Sequence, residues 1–220
     1  MLERFRQFWT NVWAPLGNLL LRMGVSPNTV TFVGTVGVVA GAVIFFPQGE
    51  LLVGVLVITA FVFSDMLDGY MARSSGQVSK FGAFWDSTLD RIGDAAIFGG
   101  LAMYYVGPGD HDWVAALAIY CLSMGSVTSY ARARAESLGM QAKVGIAERA
   151  DRLVAILVVT GAADLVNRLG AGEDALRAIP VALGALALAS TVTVVQRVVV
   201  VRDQARALAA ETDGGAGPEA

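Results

Sequence analysis

The chain has 220 residues, 55% of them hydrophobic and only 16% charged, with 16 Lys and Arg against 19 Asp and Glu for a net charge of -3. A soluble domain carries about a quarter charged residues, so lipid is the expected solvent for most of this sequence, and no nucleic-acid partner is expected of it. The single Cys, Cys121, stands in an apolar run, which excludes an internal disulfide and a thiolate metal site.

At the start, Leu2, Phe5, Phe8, Trp9, Val12, Trp13, Leu16, Leu19 and Leu20 recur at helical spacing, with Glu3, Arg6, Gln7, Thr10 and Asn11 largely opposite. That pattern predicts an amphipathic helix over residues 1–22 lying in the membrane surface. Arg4 and Arg6 lead into no long apolar core, so the segment does not read as a signal peptide. Ser26 then reads as an N-cap and Pro27 as the first helical position of a buried span.

A helix crossing a bilayer needs about 20 mostly apolar residues. Residues 29–46, 113–131 and 178–196 satisfy this directly, and residues 51–73, 82–106 and 153–167 do so with polar interruptions. Six spans put both termini on one side, and every Lys and Arg except Arg168 and Arg177 then falls on that side, as the positive-inside rule requires. Trp9, Trp13, Trp85 and Trp113 fall where an aromatic belt belongs. Gly37 and Gly41, and Ala95 and Gly99, are small pairs four apart, for which close helix packing is the favoured reading. The expected architecture is an all-α integral membrane protein: an interfacial helix over 1–22, a six-span domain over 23–206 and a disordered, Gly-rich and acidic tail over 207–220.

The spans over 51–73 and 82–106 carry Asp65, Asp68, Asp86, Asp90 and Asp94 near their inner ends. An ionisable residue at membrane depth costs a few kcal/mol unless it has a partner or a wet cavity. Asp65 and Asp68 are three apart, and Asp86 and Asp90 four apart, so each pair projects from one helix face. A short connection between the two spans makes them expected antiparallel neighbours, with the pairs face to face. Four converging carboxylates need a counter-charge, and Mg²⁺ or Mn²⁺ suits them better than Zn²⁺, for which His and Cys are lacking. The one His, His111, falls in an outer loop.

The spacing is Asp65-x-x-Asp68-Gly69-x-x-Ala72-Arg73, then eight residues, then Gly82-x-x-x-Asp86-x-x-x-Asp90. It resembles the signature of the CDP-alcohol phosphotransferases at every fixed position. The resemblance implies an enzyme in which Asp65, Asp68, Asp86 and Asp90 hold a pair of Mg²⁺ or Mn²⁺ ions and Asp90 is also the general base. It implies, too, that Pro27, Asn28, Thr29, Val30 and Thr31 contact the CDP moiety of CDP-diacylglycerol. The resemblance extends the set to Ser79; Gly69, Ala72 and Gly82 join it because small residues admit close backbone approach, and Arg73 because its fork of donors suits phosphate or cytosine. For Ser26 to Thr31, helix capping serves equally well as an explanation. A homodimer in a bacterial plasma membrane, with its active site and both termini cytoplasmic, also follows from the resemblance and the charge placement.

The connection between the fourth and fifth spans reads Ser129-Tyr130-Ala131-Arg132-Ala133-Arg134-Ala135-Glu136, then Lys143, then Glu148-Arg149-Ala150-Asp151-Arg152. Its basic residues suit a phosphorylated acceptor alcohol, while plain positive-inside topology is the bland alternative. The run resembles the bacterial phosphatidylinositol phosphate synthases within that family, which implies that Ser129, Arg132, Arg152 and Arg197 hold the phosphate of soluble inositol phosphate. Two other readings stand beside it: a glycerol phosphate acceptor, as in phosphatidylglycerol phosphate synthase, and a divalent-cation transporter, in which acidic residues would gather from several spans near the midplane. A non-catalytic scaffold leaves the cost of the Asp cluster unexplained.

Overall fold

The computed structural model describes residues 13–214, without the side chains of Asp65, Ala171, Glu173 and residues 211–214. Most of the expected surface helix, residues 1–12, lies outside the described residues. Its end is helical, over residues 13–22 (α1). There Trp13, Leu20 and Leu21 pack with Val25 and Tyr70 against Val30, Leu67 and Met71.

Every regular element among the described residues is a helix. The chain continues through α2 (Pro27–Ala40), α3 (Leu51–Val62), α4 (Ser64–Ser74), α5 (Lys80–Val106), α6 (Asp112–Ser137), α7 (Arg149–Val166) and α8 (Ala178–Gly214). Ser26 caps α2 by accepting from the Thr29 N–H, with Pro27 at the first position, as the sequence predicts. Five stretches are long and apolar enough to cross a membrane: Pro27–Gln48, Leu51–Ser74, Asp112–Ser137, Arg149–Gly170 and Asp174–Ala210. α5 has 27 residues, about 40 Å at 1.5 Å per residue, but Lys80, Asp86, Asp90, Arg91 and Asp94 crowd its first half.

Three expectations change. The single span over 51–73 is two helices, because the Ser64 hydroxyl donates to the Phe61 carbonyl at 2.6 Å and competes with the helical ladder at that turn. The first span runs to Gln48, just past its expected end at 46: Pro47 has no N–H to continue the ladder, and the stretch closes in a short 3₁₀ turn over Phe46–Gln48, with Gly49 in the left-handed region at φ 80°. And α8 runs to Gly214, so residues 207–214 are helical rather than part of a disordered tail, while residues 215–220 lie outside the described ones.

Packing runs α2 on α5, α5 on α6, α6 on α8, α8 on α7, α7 on α3 and α3 on α2, which closes a ring of six helices. The ring's interior is filled by Phe46, Leu51, Ile58, Ile97, Leu101, Val114, Ile156, Ile179 and Leu183, all buried. Outward faces are apolar as well, with Val33, Leu56, Val158, Val181 and Leu188 exposed, as expected where the surroundings are lipid.

The two small pairs behave differently. A Cβ on Gly41 would stand 2.9 Å from Ile58 Cγ1, so that glycine is what lets α3 close on this segment. No described atom lies within 4 Å of the equivalent position on Gly99, which faces open space among the described residues.

Candidate functional site

The N-terminal ends of α2, α5 and α7 meet the C-terminal ends of α4, α6 and α8 at one end of the ring, and the predicted residues gather there. Ser79 caps α5 by accepting from the Gly82 N–H at 2.9 Å. The Trp85 indole donates to the Asn28 carbonyl at 3.2 Å, and a Cβ on Gly82 would lie 3.5 Å from Asn28 Oδ1. Asn28, Ser79 and Gly82 therefore share one small region between the starts of α2 and α5. Gly69 sits beneath the guanidinium of Arg73, where a Cβ would come within 3.2 Å of Nη1. Val30 is buried with Leu67 and Met71, and Pro27 is also buried, so these two serve packing. Thr29 is exposed and Ala72 half-buried.

The carboxylates descend α5 as a stripe, since Asp86, Asp90 and Asp94 are each four residues apart and about 6 Å further along the axis. Asp86 is exposed, the Asp90 side chain is 22% exposed and that of Asp94 only 9%. On α4, Asp68 is buried and its Oδ2 accepts from Thr31 Oγ1 at 2.5 Å. The backbone of Asp65 is in α4 as expected, and its side chain lies outside the described residues.

α4 and α5 each pack against α2, and Thr31 of α2 is the residue that bonds Asp68 and also lines a groove with Asp90. That residue lines, with Gly34, Ser64, Asp90 and Arg149, a narrow groove between α2, α3, α5 and α7. Most of the groove wall is apolar; its polar groups are Arg149, the Thr31, Thr35 and Ser64 hydroxyls and the Asp90 carboxylate, the last four being oxygen donors of the kind a hard divalent cation takes. Among the described side chains no three acidic, His or Cys groups converge, and Asp90 is paired with Arg149. The meeting of four carboxylates expected from the sequence is therefore not formed among Asp68, Asp86 and Asp90.

Beside the groove lies a second, wider cavity of about 740 Å³. Ser129, Arg132, Arg152 and Arg197, the four residues expected to hold an acceptor phosphate, all line it. Arg197 is buried, with Nη1 donating to the Thr128 carbonyl at 2.5 Å and Nε to Val144 O at 2.9 Å. Arg152 is 2% exposed and lies against Gly125, where a Cβ would stand 3.2 Å from Nη2. Gly125 is thus the room into which this guanidinium fits. Arg132 pairs with Glu136 at 3.0 Å, whereas Arg134, two residues on and so on another face of α6, bonds locally to Ser137 and is no part of the cavity lining.

The sequence reading gave no individual role to three residues of this site, although it counted Arg149 among the basic residues suited to a phosphorylated acceptor and Asp94 among the costly carboxylates. Arg91 lines the cavity and donates to Ser129 Oγ. Arg149 pairs with Asp90 at 2.9 Å and with Asp94 at 3.0 Å, and Asp94 also faces Arg91 at 3.7 Å. The signal for Arg149 was present in the basic run, but its carboxylate partner at position 94 could only be paired with it in three dimensions.

This geometry puts the Asp90 carboxylate and the Thr31 hydroxyl next to a cavity lined by guanidiniums. The CDP-alcohol phosphatidyltransferase family profile matches residues 24–195. The chain belongs to that family. It is 49% identical to a phosphatidylinositol phosphate synthase of Streptomyces avermitilis, over 100% of this chain and 88% of the relative. It is 52% identical to one of Cutibacterium acnes, over 92% of this chain and 98% of the relative. A crystal structure of the Mycobacterium tuberculosis phosphatidylinositol phosphate synthase with CDP-DAG bound superposes with a TM-score of 0.80 at 38% identity, covering 87% of this chain and 94% of that one. A second structure of that synthase, in complex with manganese and citrate, gives 0.78 at 38% identity, covering 86% and 88%. Membership of a phosphotransferase family makes this chain a CDP-alcohol phosphotransferase and sets aside the transporter and scaffold readings.

Proposed function

We propose that this chain transfers the phosphatidyl group of CDP-diacylglycerol to inositol phosphate, giving phosphatidylinositol phosphate and CMP. The observation that carries the reading is the cavity in which Arg91, Arg132, Arg149, Arg152 and Arg197 gather beside Asp90. So many guanidiniums at one site need an anionic occupant, and a phosphorylated acceptor supplies it with forked geometry. The names of the relatives point the same way.

In this reading the CDP moiety lies over Pro27 to Thr31, Gly69, Ala72, Arg73, Ser79 and Gly82. Asp65, Asp68, Asp86 and Asp90 would hold a pair of Mg²⁺ or Mn²⁺ ions, which when bound neutralise charge developing on the pyrophosphate oxygens. Ser129, Arg132, Arg152 and Arg197 hold the acceptor phosphate and so orient a free hydroxyl toward the groove. Asp90 takes the proton from that hydroxyl. The oxygen bonds to the phosphorus bearing diacylglycerol as the bond from that phosphorus to the bridging oxygen breaks, and CMP carries the bridging oxygen away.

The topology proposed is six spans, with α5 as the third, an interfacial helix before them, and both termini and the site on the cytoplasmic side of a bacterial plasma membrane. A homodimer follows from the family resemblance, and the Ala95 and Gly99 face suits a helix of a second copy. The test is mass spectrometry of the lipid product formed by the purified protein from CDP-diacylglycerol with inositol phosphate, glycerol phosphate or free inositol. Product from inositol phosphate alone supports the reading; product from glycerol phosphate alone replaces it with the phosphatidylglycerol phosphate synthase reaction.

A further inference from the structure

Among the described residues, Arg149 alone lines both the groove that holds Asp90 and the arginine-lined cavity. We propose that Arg149 is a positioning residue. It forms the wall between the donor and acceptor compartments and aims the Asp90 carboxylate across it, while Asp94 anchors Arg149 from below. The inference rests on the general-base reading of Asp90.

Three bonds fix the guanidinium. Its Nη1 meets Asp90 Oδ1 at 2.9 Å, its Nη2 donates to the Asp90 carbonyl at 3.3 Å, and its Nε donates to Asp94 Oδ1 at 3.0 Å. A planar fork held along two edges cannot rotate, and a lysine ammonium, a single point charge, cannot span both carboxylates. The second oxygen of Asp90 stands 3.9 Å from Arg91 Nη2, and Arg91 lines the acceptor cavity. The pairing with Arg149 thus turns Oδ2 of the base toward the compartment where the acceptor hydroxyl must lie.

The placement is not explained by the needs of α7. Arg149 is the first residue of that helix, where a cation opposes the macrodipole. A capping box between Glu148 and Asp151 already satisfies the helix start. Positive-inside topology requires a charge near water, yet the Arg149 side chain is 29% exposed and turned inward onto two carboxylates, one of them 9% exposed. Asp94 in turn pairs with both Arg149 and Arg91. An anchor for the two arginines is the role this geometry gives it.

The test uses the purified full chain in detergent with CDP-diacylglycerol, inositol phosphate and Mg²⁺, comparing Arg149→Lys, Arg149→Ala and Asp94→Asn. A base displaced by about 1 Å loses on the order of hundredfold in rate, so kcat of both Arg149 variants is expected to fall about that far. The KM for CDP-diacylglycerol should stay within about twofold, since uniform donor binding is untouched. Asp94→Asn should lose about tenfold in kcat, the lower end of what an outer-shell partner contributes. Added methylguanidinium should restore Arg149→Ala by at least about tenfold and leave Asp90→Asn inert, which a merely structural role would not do. Unchanged kcat in Arg149→Lys overturns the proposal. So does loss of CDP binding in Arg149→Ala without rescue, which would make Arg149 a folding residue. If the unaltered protein makes no product from inositol phosphate, it is the proposed acceptor that fails, and the same comparison is made with the alcohol that reacts.

Discussion

Replacing Thr31 by Val tests whether Asp68 is held in a geometry fit for a metal ion. The Thr31 hydroxyl has one proton and two acceptors, the Pro27 carbonyl at 3.1 Å and Asp68 Oδ2 at 2.5 Å. The shorter, charged acceptor wins, and because Asp68 is 8% exposed, little water is at hand to replace the bond. A hydrogen bond to a charged group contributes about 1.5–3 kcal/mol. Valine fills the same volume, so packing is preserved and the loss falls on carboxylate orientation. At about 1.4 kcal/mol per tenfold, the variant should need roughly ten- to hundredfold more Mg²⁺ or Mn²⁺ for half-maximal activity. Thr31→Ser should stay near the parent. The assay is a metal titration of product formation, paired with Mn²⁺ binding followed by electron paramagnetic resonance without substrate. A Thr31→Val variant with the parent's metal dependence in both measurements refutes the reasoning.

Asp90→Asn should reduce kcat by about 10²–10⁴-fold, the range for loss of a general base, while CDP binding by calorimetry is retained; near-normal turnover would remove Asp90 from that role. Arg152→Gln should raise the KM for the phosphorylated acceptor by about tenfold or more, with the KM for CDP-diacylglycerol unchanged, because one charged phosphate contact is lost. At the far end of the ring, Asp164 accepts from the Leu52 N–H at 2.8 Å at the start of α3 and pairs with Arg168 at 3.0 Å. Asp164→Ala should cost about 1–3 kcal/mol and lower the Tm in detergent by several degrees without altering either KM.

Much of the site was legible because its residues sit at helix starts and ends, where spacing translates directly into position. Ser26 and Pro27 predicted the entry to α2, and the Asp spacing predicted a stripe on α5. Ser129, Arg132, Arg152 and Arg197 are implied by the family resemblance, and one cavity receives all four. What could not be read was long-range pairing. Asp94 was visible as an expensive charge, but its partner Arg149 is 55 residues away and was indistinguishable from an ordinary topology signal. Helical phase separated Arg132 from Arg134 only once α6 was in place. The break before Ser64 was hidden for another reason: a serine after a long apolar run signals nothing until its hydroxyl finds the Phe61 carbonyl.

The charged first half of α5 bears on how the protein is made. Lys80, Asp86, Asp90, Arg91 and Asp94 arrive at the insertion machinery long before Arg149 has been synthesised, and at that moment Arg91 is the nearby cation that can offset Asp94. A nascent chain released before α7 would leave α5 poorly committed to the bilayer. The same arginine proposed to divide the two substrate compartments is thus also the ion-pair partner that α5 gains only when α7 is made, so premature termination after α6 should yield a species cleared by quality control.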